Sequence, residues 1–232
     1  MSQKQQKDYI SVIYDERRTP KTDYPSRLAA YLIDRFALKA GDRFLEIGCG
    51  RGDFLLAFRD AGLNCSGVDR EIGSVELLAD LDVRQCDVSK QPLPFKDETI
   101  DIVYHKSLIE HLYNPTHLTK ETYRVLRPGG PVIILTPDWV SQMDVFYEDF
   151  THSRPYDRNA LRDLLEVGGF SNVHTELFYQ LPAVWRFPFL KVISKLLQLV
   201  LSTPNARRLT EITKIKFFRW SVELMVLGYG EK

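Results

Sequence analysis

The sequence predicts an α/β protein built on a doubly wound, mostly parallel sheet with helices on both faces. Three observations predict it. Strand-like and helix-like segments alternate over roughly 150 residues, the pattern of crossover units. Three glycines, Gly48, Gly50 and Gly52, sit at alternate positions between a strand-like and a helix-like run. A late strand-like run near the C-terminus has no helix directly before it except an apolar insert, which predicts one strand pairing antiparallel at one end of the sheet.

The elements follow in order. Residues 1–24 are polar with scattered aromatics and read as a loosely structured lead-in. "PSRLAAYLIDRFAL" (25–38) carries apolar residues at helical spacing, with Pro25 suited to the first turn. "DRFLEIG" (42–48) is a short buried strand, and "GDFLLAFRDAG" (52–62) a helix that ends in glycine. "NCSGVD" (64–69) is a second strand, "EIGSVELLAD" (71–80) a helix and "DVRQCDV" (82–88) a third strand. After a proline-rich loop, "TIDIVYH" (99–105) is the fourth strand, and "THLTKETYRVL" (116–126) is a helix stopped by "RPGG". "PVIILTP" (131–137) is the fifth strand. "DRNALRDLLEVGGF" (157–170) is a helix, "SNVHTELFY" (171–179) a strand and "FFRWSVELMVLGYG" (217–230) the last strand. The domain reading is therefore a core over 25–180, a helical insert over 181–216 and a final strand over 217–232.

Composition bounds the class. The chain has 232 residues, 44% hydrophobic and 27% charged, which is ordinary for a soluble globular protein. Its 31 basic and 31 acidic residues cancel, so no global field favours nucleic acid, and no nucleic-acid partner is expected. Cys49, Cys65 and Cys86 lie in or beside apolar runs without metal-ligand spacing, which reads as reduced, buried thiols and a cytoplasmic setting. The N-terminus has no apolar signal-peptide core.

A turn that follows a strand and opens a helix offers free backbone N–H groups and a helix N-terminus to a ligand. Ligands of open parallel sheets bind at the carboxyl ends of the strands. The spacing G-x-G-x-G, with Glu46 two residues before the first glycine, does not match the dinucleotide fingerprint G-x-G-x-x-G. An acid at the strand end suits a cationic ligand better than a diphosphate. Asp69 ends the next strand, where a carboxylate can accept both hydroxyls of a ribose, and Asp87 ends the third, placed to meet an adenine amino group.

With these residues in place, the chain resembles the class I S-adenosylmethionine-dependent methyltransferases. "LEIGCGRG" is similar to their first motif, "GVDR" to the segment of the ribose-binding acid, and "QCDV" to the adenine-contacting segment. "IDIVYHKSLIEHL" and "RVLRPGGPVIILTP" are similar to the fourth- and fifth-strand segments. The resemblance covers roughly Leu28 to Thr136. It implies a Rossmann-like, three-layer α/β/α fold with a seven-stranded sheet and one antiparallel strand, and S-adenosylmethionine as cofactor, leaving S-adenosylhomocysteine. Carried over, Glu46, Gly48, Cys49, Gly50 and Gly52 form the turn beside the methionine and ribose. Asp69 binds the ribose and Arg70 follows it. Asp87 and the Val88 backbone hold adenine, and His105 lies near the sulfonium. Arg70 departs from the apolar contact frequent there, which passes adenine packing to Ile72 or Val88. Glu110 and His111 read as bracing the following helix.

The acceptor is read from "TPDWVSQMDVFYEDFTHSRPYDRNAL", a long aromatic loop after the fifth strand. "YEDFTHSRPYD" resembles a segment of methyltransferases that act in bacterial cell-envelope glycan pathways. His152 is the candidate general base and Arg154 an anion or hydroxyl anchor, with Tyr147 and Tyr156 as walls. The alternative is that His152 and Arg154 only brace the loop against Asp149 and Asp157. A cation held by Asp138, Asp149 and His152 matches no metal signature, and no metal is expected.

The expected function is methyl transfer to oxygen of a sugar, glycan or lipid-linked acceptor. The alternatives are carbon or nitrogen methylation of a quinone-like or other small molecule, and a non-catalytic scaffold that binds S-adenosylmethionine. For 183–202, apolar around most of its circumference, three readings stay open: packing on the sheet or a second copy in a homodimer, a lid over the acceptor, or a helix in the inner membrane surface.

Overall fold

The computed structural model describes residues 20–71, 73 and 78–232. The lead-in therefore lies almost wholly outside the described residues, as do Ile72 and residues 74–77 of the helix expected over 71–80.

Helix α1 (Tyr24–Phe36) has Pro25 in its first turn and ends on Ala37 in the left-handed conformation, whose N–H caps the Asp34 carbonyl. Strand β1 (Arg43–Ile47) leads through the glycine turn into α2 (Asp53–Asp60). Strands β2 (Asn64–Asp69), β3 (Asp82–Gln85) and β4 (Ile102–Lys106) follow. Helix α3 (Pro115–Val125) is capped by the Asn114 side chain, which accepts from the Thr116 N–H. Strand β5 (Pro131–Pro137), the one-turn helix α4 (Trp139–Gln142), helix α5 (Arg158–Val167) and strand β6 (Ser171–Phe178) come next. Four helices, α6 (Pro182–Arg186), α7 (Leu190–Val200), α8 (Thr203–Thr213) and α9 (Lys216–Val222), precede β7 (Met225–Glu231).

The sheet has seven strands in the order β3-β2-β1-β4-β5-β7-β6. The pairs among β1 to β5 are parallel, and β7 runs antiparallel to both neighbours. Successive residues of a strand face opposite sides, so the sheet divides its apolar residues between two cores. Leu45, Ile47, Val103, Val132 and Ile134 pack with Leu118 and Val125 of α3 and Leu161 and Leu165 of α5. Phe44, Ile102, Tyr104, Ile133 and Leu135 pack with Leu28 and Leu32 of α1 and Leu55 and Phe58 of α2 on the other side. That is the three-layer architecture.

Three expectations are corrected. The last strand is not at the end of the sheet but sits between β5 and β6, leaving β6 on the edge. Residues 217–222 are helical, and the strand begins at Met225. Both are apolar runs, and a short apolar run does not by itself distinguish a helix, here half-buried over 217–220, from a buried strand. The third strand is shorter than expected and stops at Gln85, which leaves Cys86, Asp87 and Val88 in the loop at its carboxyl end. Cys49, Cys65 and Cys86 are free and buried.

Candidate active site

The strand order reverses between β1 and β4, and the crevice of a doubly wound sheet opens there. A cleft of about 620 Å³ lies at this point, within the ~300–1,000 Å³ usual for small-ligand pockets. Gly48 and Gly50 form one wall, at φ +74° and +51°. These are left-handed conformations that glycine adopts freely. A Cβ on Gly48 would stand 3.0 Å from the Leu108 side chain, itself part of the wall. The turn is thus narrow and bare of side chains.

Asp69 also lines the cleft. Its carboxylate accepts from the Gly50 N–H at 2.7 Å and the Glu71 N–H at 2.9 Å, which fixes it between the glycine turn and its own loop. Each carboxylate oxygen has two lone-pair directions, so each retains capacity for a ligand hydroxyl. Arg70, Asp87 and Val88 line the same cleft. Asp87 accepts from the Ser89 N–H and hydroxyl in a tight side-chain turn. The Ser89 hydroxyl holds it below the usual carboxylate range.

Four expected cofactor residues are not on the wall. Gly52, at φ +81°, caps α2 and faces Leu78. Cys49 is buried below the turn. Glu46 is buried in β1, and burial pushes its carboxyl well above the usual range, with Oε2 unpartnered among the described residues. His105 is sealed inside β4 rather than exposed at its tip, and burial pushes its pKa down to about 3. The strand runs one residue further than expected and turns at Ser107, which holds a positive φ of 54°. Ser107, Leu108 and His111 thus line the cleft where His105 was expected.

The acceptor loop reaches the cleft through its backbone. The Ser153 and Arg154 N–H groups donate to the Glu110 carbonyl at 2.8 and 3.0 Å, pinning residues 149–154 to the turn Ile109–His111. This brings three titratable side chains together: Glu110, His111 and His152 have donor atoms within 4.8 Å of one another. Asp138 is not among them, because its carboxylate caps α4 by accepting from the Ser141 N–H.

Proton placement in this cluster follows from its partners. The Asp149 Oδ1 accepts from the Thr151 hydroxyl at 2.6 Å and the Thr151 N–H at 2.9 Å. Burial works to raise Asp149, but the Thr151 hydrogen bonds outweigh it and the carboxyl lies below its ordinary value. Asp149 is therefore an acceptor, and the Thr151 hydroxyl commits its one hydrogen to that bond. The Thr151 oxygen lies 2.8 Å from His111 Nδ1, so Nδ1 carries the hydrogen and Nε2 keeps a lone pair. Burial, then the neighbouring His152, lowers the His111 pKa, so the imidazole is neutral. Burial pushes Glu110 up to about 7; its Oε2 accepts from the Thr136 hydroxyl at 3.0 Å.

His152 stands behind this pair and off the cleft wall. Its Nδ1 pairs with the Phe146 carbonyl at 2.6 Å, and its ring packs 4.4 Å from Phe146 and 4.8 Å from His111. Arg154 is exposed and donates to the Tyr113 carbonyl at 3.1 Å. Tyr147 is exposed against Trp139 and Phe146, and Tyr156 is buried. The spacing alone reads His111 as a brace for the following helix, whereas in the fold it lines the cleft. The signal available was its position just past the fourth strand, at the tip where the crevice opens.

Comparisons with known proteins bear on the family and the fold. The family described as methyltransferase domain matches residues 16–175. A probable S-adenosylmethionine-dependent methyltransferase of Mycolicibacterium smegmatis is 32% identical over 138 residues, 56% of this chain and 52% of its own. Sterol 4-C-methyltransferase strm-1 of Caenorhabditis elegans is 28% identical over 171 residues, 69% of this chain and 49% of its own. The chain spans about half the length of the curated relatives it matches. Among solved structures, a SAM-dependent methyltransferase from Archaeoglobus fulgidus superposes with a TM-score of 0.65 at 22% identity, over 97% of this chain and 100% of that one. Phosphoethanolamine N-methyltransferase 2 of Haemonchus contortus, solved with S-adenosyl-L-methionine, gives 0.68 at 16% identity, over 97% and 59%. At those identities the likeness is one of fold.

Proposed function

The chain belongs to the methyltransferase domain family, of the class I S-adenosylmethionine-dependent type, and we propose that it methylates a hydroxyl oxygen of a sugar, glycan or lipid-linked acceptor. The residues of the cleft suit the donor: a side-chain-free turn at Gly48 and Gly50, the Asp69 carboxylate for a ribose, and Asp87 with Val88 for a base. When bound, S-adenosylmethionine supplies a methyl group already activated on a positively charged sulfur.

The single observation that carries the hydroxyl reading is the chain Asp149–Thr151–His111 beside that cleft. A hydroxyl acceptor must lose its proton as it attacks, and a positioned base contributes typically 10²–10⁴-fold. His111 Nε2 is the base in this reading. Asp149 holds the imidazole tautomer through the Thr151 hydroxyl and offsets the charge that develops. His152 fixes the His111 ring from behind, so it positions the base rather than being one.

A second reading is favoured by the names of relatives, which include phosphoethanolamine N-methyltransferases of Triticum aestivum and Zea mays. An ammonium must also lose a proton before it attacks, so the same base serves nitrogen. Methyl-labelled donor incubated with sugar, lipid-linked and small-amine acceptors separates the two. The expected product carries its label as an O-methyl ether. Label found only on nitrogen or carbon overturns the hydroxyl assignment.

A further inference from the structure

We propose that the outer face of α7 docks the protein on an anionic phospholipid surface; the inference rests on the fold and is independent of the acceptor. Helix α7 is inside out. Its uncharged polar residues face the protein: Ser194 is fully buried and donates to the Ser221 hydroxyl at 2.9 Å, and the Gln198 side chain donates to the Ser221 carbonyl at 2.6 Å. Leu190 packs inward, but most of the helix's apolar residues face out, with Leu196 60%, Leu199 80% and Val200 76% exposed. Val192 joins them one turn before Leu196, and Phe189 precedes it at the head of the helix. A soluble helix buries that stripe and exposes its polar one.

Charge selects the occupant. Between Glu176 and Glu211 the sequence has no acidic residue and five basic ones, although the whole chain is neutral. Lys191 and Lys195 are exposed one turn apart along one edge of the apolar stripe, and Arg186 and Arg208 are exposed nearby. A second copy apposed through this face brings the same cations and no acid of the same segment to pair them. Anionic headgroups complement them, and the apolar stripe enters the boundary below, the arrangement of an interfacial helix. No helix of the described residues is long and apolar enough to cross a membrane, so the contact is peripheral.

The face is coupled to the site. Thr203 at the start of α8 donates to the Ser141 carbonyl at 2.7 Å, and Arg207 bonds Glu148 of the acceptor loop. Helix α8, which follows α7 after two residues, is therefore fastened to the segment that leads into Asp149, Thr151 and His152.

Vesicle flotation tests the inference. The protein is expected to float with vesicles of equal parts phosphatidylcholine and phosphatidylglycerol, and far less with phosphatidylcholine alone. The double variant Leu196→Glu/Leu199→Glu, altered at two exposed positions, should lose binding by tenfold or more on the order of what two charges in an apolar boundary impose. It should keep its thermal stabilisation by S-adenosylhomocysteine, which separates lost docking from lost folding and from a failed cofactor assignment. Lys191→Ala/Lys195→Ala should bind more weakly and with a shallower salt dependence. Flotation unchanged by the glutamate pair overturns the proposal. So does a concentration-dependent dimer in sedimentation that the pair abolishes while wild type ignores vesicles, since that assigns the face to a second copy.

Discussion

At the scale of the residue, the proposed chemistry turns on the proton held by His111. Its Nδ1 faces Thr151 at 2.8 Å and leaves Nε2 free, so His111→Ala is expected to lower kcat by roughly 10²–10⁴-fold while calorimetry finds S-adenosylhomocysteine affinity unchanged. Because burial lowers the His111 pKa, the neutral base persists as pH falls past the ordinary histidine value, and the acid limb of the rate profile lies below about 6.5. Asp149 raises His111 by its charge, so Asp149→Asn should shift that limb still lower as well as slow the reaction. Glu110 makes a separate prediction about stability. Its carboxyl is protonated in the fold up to about 7, whereas an unfolded one ionises near 4.5, so stability is fullest below 4.5 and declines as pH rises through 7. Glu110→Gln removes the charge that burial penalises. Melting at pH 8 should rise by roughly 2–4 °C for each kcal/mol relieved, with no gain below the unfolded value.

At the scale of the element, the glycine turn is the most constrained segment. Gly52 caps α2 at φ +81°, and a Cβ there would stand 2.5 Å from a terminal carbon of Leu78. A rotamer change at Leu78 relieves that contact, but the left-handed backbone remains. Gly52→Ala should therefore cost about 1–2 kcal/mol in denaturant unfolding, with helix α2 otherwise intact by circular dichroism. The same scale shows what sequence can read. Strands β1 and β5 are near-continuous apolar runs because both faces are buried, and "PVIILTP" matches its strand at both ends. "FFRWSV" is also rich in apolar residues yet forms α9, which packs against α7 and α8 and is only half-buried over 217–220, and a short apolar run does not by itself separate helix from strand. The cap acids Asp138 and Asp157 illustrate the same limit. Both were candidates for chemistry or bracing in the acceptor loop, and both accept from a helix N-terminal N–H.

At the scale of the whole molecule, the cleft belongs to no single element. It is walled by loops after β1, β2, β3 and β4 together with Phe150 and Thr151 of the acceptor loop. A ligand that bridges these loops stabilises the entire fold. S-adenosylhomocysteine at a hundred times its Kd should raise Tm by roughly 5–10 °C, from about 2.7 kcal/mol of linkage. Asp69→Ala should abolish that shift, and an undiminished shift would refute the role given to Asp69.

The sequence by itself determined the layered α/β architecture, the bare turn at Gly48 and Gly50 and the acids at the tips of β2 and β3. These follow from local rules: period, burial and backbone freedom act within a dozen residues. Only the tertiary structure decided that β7 enters between β5 and β6, that His105 is sealed while His111 faces the cleft, and that Thr151 joins Asp149 to His111. Those outcomes depend on contacts between segments some forty residues apart or more, such as the Glu110 carbonyl that receives Ser153 and Arg154. No periodicity along the chain encodes which distant backbone group a loop will find.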